Sequence, residues 1–329
     1  MQDSIKVAVI GAGNWGKNLV KNFYELGALS AVVDEDEGRL NKVGKDYKGV
    51  HLLTSLNDLW KMDIPAVAIA TPAPTHYEIT KTALSKGRDV FVEKPFTLNA
   101  SQAEELVTLA KSSGRIIMVG HLLLYQPAIR WIKDCILKNT LGKLYFLHQE
   151  RLNLGRARRG ENALWSLGVH DVAVFLDLVG RNPQRVEVVG QPVLQKDVED
   201  DVYLHLAFSG GVAAHLHASW LWPEKHRRLT AVFERGMLVY DEIAQTVTLH
   251  KKYINSKLEN MDEGQQVVYK GNSEPLKLEL KHFIECCQSR QRPYSDGESA
   301  VQVVGVLEKS IIKLEENNTK LKEARGYYV

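Results

Sequence analysis

The sequence predicts an α/β protein in which an N-terminal, doubly wound parallel sheet is followed by a C-terminal α+β domain. In the first half, short apolar strands alternate with amphipathic helices through short connections, which is typical of a parallel sheet. Between residues 185 and 240, strand patterns follow one another in an antiparallel series. The length of 329 residues suggests two domains, at roughly 150 residues each. We place them at residues 1–121 and 122–329, with a C-terminal helix at 298–317 as a candidate for packing back on the first domain.

The first strand, residues 5–10 (IKVAVI), leads directly into GAGNWG, and an amphipathic helix follows. A lone GxGxxG pattern is weak, but this strand–glycine–helix context is the one that a dinucleotide-binding turn requires. The first glycine permits a tight turn, the second lets the backbone approach a pyrophosphate, and the third lets helix and strand pack closely. The helix N-terminus offers N–H groups to the phosphates. The cofactor-binding residues predicted here are Gly11, Gly13, Asn14, Trp15 and Gly16.

The second strand, residues 29–33, ends at Asp34. A carboxylate about 20 residues beyond the glycines bonds the adenosine ribose hydroxyls in such folds. Three acidic residues follow at 35–37, so a 2′-phosphate would meet like charge. We therefore predict NAD as the cofactor and regard NADP as less favoured, although Arg39 leaves NADP open.

Two further strand ends carry polar groups. Residues 66–70 (AVAIA) precede TPAPTHYE, and residues 90–92 (VFV) precede Glu-Lys-Pro. The carboxyl ends of parallel strands form the ligand crevice, and a lysine there is partly desolvated, so it can exchange a proton with a reacting alcohol. Taken alone, Lys94 could equally lie in a surface turn, and His76 is expected to hold a loop more often than to frame a nicotinamide pocket. The cofactor-binding candidates in these segments are Thr71, Pro72, His76, Glu93 and Lys94.

Composition excludes several classes of protein. The 42 basic and 40 acidic residues leave a formal charge of +2, so no basic field favours nucleic acid. We find neither an apolar stretch long enough for a bilayer nor a signal peptide, so we expect a cytoplasmic protein without a membrane partner. The three cysteines lack CxxC pairing, which predicts neither a disulfide framework nor a metal site. Cys286 and Cys287 fit buried thiols in a helix.

In the second half, a strand at 144–152 leads to NLGRARRGEN and then to a helix at 165–179 that carries His170. Arginines at 156, 158 and 159 would suit an anionic substrate, because arginine clamps phosphate or carboxylate through paired hydrogen bonds. A solvated surface loop explains the same arginines equally well.

The strand series that follows includes a tight hairpin at Ser209-Gly210-Gly211. His215 and His217 alternate on one face of the second hairpin strand, and we interpret them as sheet-face residues rather than metal ligands. A broad apolar sheet face predicts assembly of identical chains into a dimer or tetramer.

Six segments carry a family resemblance. They are GAGNWG, ATPAPTHYE, VFVEKP, GHLLLYQPAIR, LWSLGVHDVAVFLDLVG and RPYSDGESAVQVVGVLEKS. With these motifs the chain resembles, over nearly its full length, the glucose-fructose oxidoreductase / inositol dehydrogenase / MocA family. The resemblance implies a Rossmann domain, a C-terminal domain with a large open mixed, mostly antiparallel sheet, and NAD(P)-dependent oxidation of sugars or cyclitols.

The resemblance also implies roles for individual residues. Lys94 corresponds to the lysine that contacts nicotinamide and substrate hydroxyl, and His170 to the histidine of the substrate domain. Many members carry an aspartate two residues before the glycine of Gly-x-His, where this chain has Ser166 and instead places Asp171 after the histidine. Lys94 and His170 therefore remain the catalytic candidates, with His170 removing the hydroxyl proton and Lys94 stabilising the alkoxide.

The NLGR…ENALWS…HD segment is similar to the branch that oxidises the 3-hydroxyl of nucleotide-linked amino sugars, UDP-N-acetylglucosamine or its uronic acid. A free-sugar or inositol dehydrogenase, an NAD-dependent glycosidase and a non-catalytic dinucleotide sensor stay open as alternatives. The predicted substrate-binding residues are Lys94, Arg156, Arg158, Asn162, Trp165 and His170.

Overall fold

The computed structural model describes residues 5–326, with side chains described up to residue 317. The chain forms two compact units. The first comprises residues up to Tyr125 together with Glu274–Val304, and the second comprises Gln126–Ser273 and the chain from Gly305 onward. The predicted second domain, 122–329, included the segment Glu274–Val304, which the structure places in the first unit. Only the end of this segment, from residue 298, lies in the helix that was a candidate for packing back on the first domain. None of the helices within the described residues combines the length and hydropathy of a membrane span.

A six-stranded parallel sheet forms the centre of the first unit, as the alternating pattern predicts. Its order is β3-β2-β1-β4-β5-β6. The order reverses between β1 and β4, which is where such sheets bind ligands at the carboxyl ends of the strands. The strands are β1 Val7–Ile10, β2 Leu29–Val33, β3 His51–Leu53, β4 Ala66–Ile69, β5 Asp89–Val92 and β6 Ile117–Val119.

Five helices connect these strands: α1 Gly16–Glu25, α2 Glu37–Asp46, α3 Leu56–Leu59, α4 His76–Ser85 and α5 Ala100–Ser113. At the start of α5, the spacing of Ser101 and Glu104 matches a capping box and predicts one, but the prediction is wrong. Asn99 is the N-cap, and its side chain accepts a hydrogen bond of 3.0 Å from the backbone N–H of Gln102. Asn99 has extended backbone angles, as a cap requires, whereas Ser101 already lies in the first helical turn.

The second unit contains an eight-stranded sheet of order β14-β13-β12-β11-β7-β10-β9-β8. Neighbouring strands are antiparallel except for β7 and β10, which are parallel. Its helices are α6 Pro127–Leu137 and α7 Val169–Val179, the latter preceded by a π-helical turn at Leu164–Gly168. The strands are β7 Leu144–Leu154, β8 Arg185–Gln191, β9 Asp201–Ala207, β10 Ala213–Ser219, β11 Leu221–Phe233, β12 Gly236–Asp241, β13 Thr246–Ile254 and β14 Asn260–Lys270.

The two faces of this sheet differ as strand alternation predicts. Leu216 on β10 is buried and lies against Gly168, at the start of α7. His215 and His217 point to the opposite face, where Tyr203 on β9 is 50% exposed. One face therefore packs on helix and the other stays open within this unit.

The chain then returns to the first unit through α8 Pro275–Ser289 and the start of α9 Gly297–Gly326. Phe283 on α8 lies edge-on to Phe91 on β5 and Phe23 on α1, with ring centroids 5.8 and 6.4 Å apart. All three rings are fully buried. Just beyond α8, Arg290 donates two hydrogen bonds to the buried Asp89 carboxylate, at 2.5 and 3.0 Å. The returning segment is thus part of the core of the first unit.

Phe283→Ala should therefore destabilise the first unit by about 3–5 kcal/mol, because it leaves a cavity between α8 and the sheet. Leu278→Ala on the exposed side of the same helix should change the free energy of unfolding by about 0.5 kcal/mol or less. Urea unfolding of the two variants measures the difference. Equal effects would contradict the assignment of α8 to the core.

Candidate functional site

The glycine loop after β1 has the shape that a dinucleotide pyrophosphate requires. Gly11 has a φ of +93°, and a Cβ there would lie 2.9 Å from the backbone of Ala70. A Cβ at Gly16 would lie 1.9 Å from the Gly11 carbonyl oxygen, whereas one at Gly13 would have no atom closer than 3.9 Å. No side chain caps the first turn of α1. The space above Gly13 and the uncapped helix end fit phosphate groups.

Asp34 lies at the end of β2, next to this loop. Its largely buried carboxylate accepts hydrogen bonds from the backbone N–H groups of Ala12, at 2.7 Å, and Asp36, at 2.9 Å. The Arg39 guanidinium lies 3.4 Å from Asp34 and 3.4 Å from the Asp36 carboxylate. Two carboxylates thus share the positive charge that could otherwise attract a 2′-phosphate.

The segment after β4 is held by His76. Its two ring nitrogens lie 2.7 Å from the Pro95 carbonyl oxygen and 2.9 Å from that of Thr71. Burial keeps the pKa of His76 below its usual value. Both ring nitrogens lie at hydrogen-bonding distance from backbone carbonyl oxygens that follow β4 and β5, and the neutral ring donates its one N–H to one of them. The geometry therefore supports the loop-holding interpretation of His76. Thr71 shares a 2.7 Å hydrogen bond with Thr75, and Pro72 precedes the short turn Ala73–Thr75.

Glu93 and Lys94 follow β5 at the same edge of the sheet. The Glu93 carboxylate is buried and accepts a hydrogen bond from the Trp15 indole N–H, in the glycine loop. It also accepts the Lys94 backbone N–H at 3.3 Å. Burial raises the pKa of Glu93 to about 7 against the opposing effects of Trp15 and Lys94. Lys94 is half-buried, and its bond to Pro95 is cis.

Sequence reasoning missed His121, which follows β6 at this same edge. The Gly120 backbone N–H bonds to Val92 on β5, so His121 lies beside the Glu93–Lys94 pair. Its ring is buried, and neither nitrogen has a hydrogen-bond partner among the described residues. Burial, with a smaller contribution from the Lys94 charge, lowers the pKa of His121 to about 4, so the ring is neutral. His121 follows the carboxyl end of β6, a parallel strand, and this position was the signal by which the sequence could have indicated it.

In the second unit, the first turn of α7 carries His170, which is half-buried. The next residue, Asp171, is fully buried and accepts two hydrogen bonds from Arg151 on β7, at 2.5 and 2.8 Å. Arg151 donates a further hydrogen bond of 2.9 Å to Glu242. The Asp171 carboxylate is therefore held in a buried ion pair. It does not take the place of the aspartate that many family members carry at the position of Ser166.

The predicted substrate residues fall into two groups. Arg156 and Arg158 lie exposed in the loop between β7 and the π-helical turn. Asn162 is buried: its side-chain amide donates to Glu199 at 3.0 Å, and its side-chain oxygen accepts from the backbone of Trp165 at 3.1 Å. The arginines can reach a ligand, whereas Asn162 holds the start of the helical segment that leads to His170. Trp165 is half-buried.

The cysteines and histidines give no metal centre within residues 5–326, where no group of three or more suitable side chains is arranged around one point. All three cysteines are free, and Cys286 and Cys287 are buried, as predicted. His215 lies 3.2 Å from His205 between their Nδ1 atoms, and His217 lies 2.8 Å from the Asp201 carboxylate.

Comparison with protein families agrees with this architecture. Residues 5–121 match the family described as "Oxidoreductase family, NAD-binding Rossmann fold", and residues 129–239 match the "GFO/IDH/MocA C-terminal domain". The chain therefore belongs to the Gfo/Idh/MocA family of NAD-binding oxidoreductases.

Three relatives illustrate the range of the family. The chain is 24% identical to UDP-N-acetylglucosamine 3-dehydrogenase from Acidithiobacillus ferrooxidans, over 91% of this chain and 94% of the relative. The structure of that enzyme superposes with a TM-score of 0.84, covering 95% of this chain and 98% of that one at 23% identity. An oxidoreductase from Magnetospirillum magnetotacticum is 32% identical, with a TM-score of 0.81 and coverage of 93% and 99%. The scyllo-inositol 2-dehydrogenase (NAD(+)) of Bacillus subtilis is 25% identical over 89% of both chains.

Proposed function

We propose that this protein catalyses the NAD-dependent oxidation of the 3-hydroxyl group of a UDP-N-acetylhexosamine or its uronic acid. One observation carries the proposal. The similarity to UDP-N-acetylglucosamine 3-dehydrogenase extends over 91% of this chain and 94% of the relative, so it includes both units. The exposed arginines between β7 and α7 supply the positive charge that a diphosphate-linked sugar needs.

NAD is the proposed cofactor. Gly11, Gly13 and Gly16, with the N-terminus of α1, would hold the pyrophosphate, and Asp34 would hold the adenosine ribose. Arg39 is paired with Asp34 and Asp36, which disfavours a 2′-phosphate at this position. When bound, NAD supplies the hydride acceptor for the oxidation.

Lys94 and His170 are the proposed catalytic residues. A lysine ammonium can stabilise the negative charge that develops on the substrate oxygen. A histidine can accept the hydroxyl proton near neutral pH, which is typically worth about 10²–10⁴-fold in rate. The Glu93 carboxylate lies beside Lys94, so the two opposite charges attract each other.

The proposal is tested by absorbance of reduced nicotinamide with NAD or NADP and a panel of UDP-N-acetylglucosamine, its uronic acid, glucose and inositol. A 2-oxo-acid acceptor is included in parallel samples, in which the 2-hydroxy acid formed by its reduction is measured, since oxidation of the 3-hydroxyl by NAD is uphill alone. We expect reduction of NAD with the nucleotide sugars. Lys94→Met should lower turnover by at least about 100-fold and leave NAD affinity nearly intact.

The other outcomes separate the alternatives. Reduction with inositol alone would favour a cyclitol dehydrogenase, to which the Bacillus subtilis relative is the parallel. Glycoside hydrolysis that needs NAD without net reduction would indicate a glycosidase. NAD binding without any reaction would indicate a sensor. Normal turnover of Lys94→Met with any of these substrates would contradict the assignment of Lys94 as a catalytic residue.

Arg158→Ala should raise the KM for a UDP-sugar by about tenfold or more, because it removes a charge-assisted hydrogen bond to the diphosphate. The KM for a free sugar should not change. Arg185→Ala, an exposed arginine on β8, is the matched control. Equal changes for nucleotide sugar and free sugar would remove the diphosphate assignment.

We also propose that identical chains assemble through the open sheet face. Phe146 and Tyr203 are exposed there beside His215 and His217. The face also carries both signs of charge, such as Glu150 next to Arg228, so a second copy can complement it by two-fold symmetry.

Phe146→Asp should therefore reduce the mass measured by sedimentation velocity to that of one chain, because it places a charge in the contact. Leu258, in the turn between β13 and β14, is 86% exposed, and Leu258→Asp should keep the mass of the native assembly. A native protein that already sediments as one chain would refute the assembly.

A further inference from the structure

Two buried carboxyl groups in the first unit are close enough for their charges to interact. Glu93 is 7% exposed and Glu279, on α8, is 1% exposed. Phe91 and Phe283 are in contact, and Glu93 lies two residues beyond Phe91 on the same side of the strand. Glu279 lies one helical turn before Phe283 on the same face of α8. The Phe91–Phe283 contact therefore places the two side chains in the same part of the core, where the charge of Glu93 acts on Glu279.

The two carboxyl groups differ in their hydrogen bonds. Glu93 accepts from the Trp15 indole and from the Lys94 backbone N–H. Glu279 has no hydrogen bond to Oε1 among the described residues. Burial and the charge of Glu93 both raise the pKa of Glu279 well above its usual value. A charge on Glu279 would therefore be less stabilised than a charge on Glu93.

Three neighbouring ionisable groups, His121, Cys286 and Tyr125, are neutral at neutral pH. Burial lowers the pKa of His121 to about 4 and raises the pKa of Cys286 to about 11. Burial also raises the pKa of Tyr125, which faces Glu279 from the turn Leu122–Tyr125. His282, on α8 itself, lies against Tyr125 and stacks on Tyr294. Lys94 is the positive partner of the cluster.

We propose that Glu93 and Glu279 form a buried carboxyl pair that carries a single negative charge, with the proton on Glu279 and the charge on Glu93. Two adjacent carboxylates in a medium of low dielectric constant cannot both ionise, so the pair holds one proton. The hydrogen bonds to Glu93 decide which member is charged.

Glu279 is then a positioning residue that acts through Glu93. As long as Glu279 is neutral, the Glu93 carboxylate can hold Trp15 of the glycine loop and remain the anionic neighbour of Lys94. The functional part of this inference rests on the proposed role of Lys94. Because the pKa of Glu93 is raised to about 7, this anion is present above that pH and is lost as the pH falls through it. Binding of NAD, whose oxidised ring is cationic, should weaken over the same interval.

Infrared spectroscopy of the substrate-free protein tests the shared charge directly. At about pH 8, where exposed carboxyl groups are fully ionised, the native protein should show the carbonyl band of a protonated acid. Glu279→Gln should remove this band. Glu93→Gln should keep the band but move its midpoint to lower pH, since the like charge is gone. A native spectrum without a band that Glu279→Gln removes, or an unchanged midpoint in Glu93→Gln, would overturn the proposal.

Calorimetric titration of NAD across the same pH range tests the positioning role. Glu279→Leu should move the midpoint of NAD binding upward by about one unit, because a neutral polar neighbour of Glu93 is replaced by hydrocarbon. Glu279→Gln should restore the native midpoint. A merely structural role predicts the same midpoint in all three proteins, and that result would overturn the positioning role.

Neither measurement needs a sugar. A protein that passes both but oxidises no substrate would refute the proposed function and keep the carboxyl pair. If Glu279→Leu does not fold, the infrared comparison, which uses only glutamine variants, decides the question.

Discussion

The candidate site of the first unit depends on the hydrogen bonds that the buried Glu93 carboxylate accepts. It bonds the Trp15 indole from the glycine loop and lies next to Lys94, so it links the segment that would hold phosphates to the proposed catalytic lysine. Gly120 packs closely against Glu93, since a Cβ at Gly120 would lie 2.9 Å from the Glu93 carboxylate. Three strand ends are thereby held around one anion. Burying the charged Glu93 carboxylate costs free energy unless it is hydrogen-bonded, so the residues around it must supply donors or pack closely.

Most of the fold could be predicted because its determinants are local. Apolar strand runs, short connections and the glycine turn specify the parallel sheet, and all six of its strands follow from the sequence pattern. Strands β13 and β14 escaped prediction because β14 is mostly exposed and carries few apolar residues. The return of α8 to the first unit depends on Phe283 meeting Phe91 and Phe23, a contact between distant parts of the chain. No periodicity within α8 could reveal that partner.

The candidate site divides in the same way. Three segments of the site were found because each directly follows a predicted parallel strand. They are the glycine loop with Gly11, Gly13 and Gly16, then Asp34, and the pair Glu93 and Lys94. Glu279 lies within a helix that sequence alone gives no reason to place near Lys94, and its significance appears only from burial beside Glu93. Asp171 shows the opposite limitation, because it directly follows the candidate His170 in sequence while its carboxylate is bound by Arg151. Proximity in sequence and availability for reaction are different properties.

The loop between β7 and α7 has a consequence for how such a scaffold can diversify. Its arginines are exposed, while its end is fixed by Asn162 through hydrogen bonds to Glu199 and Trp165. Substitutions in the loop meet few neighbours, so they should be nearly neutral for folding. Substitutions at the edge that carries Gly16, Glu93 and Gly120 meet backbone or carboxylate atoms at once. With the substrate role proposed for these arginines, substitutions in the loop can change which polar substrate binds and leave the fold intact, whereas substitutions at the edge around the glycine loop disturb packing as well.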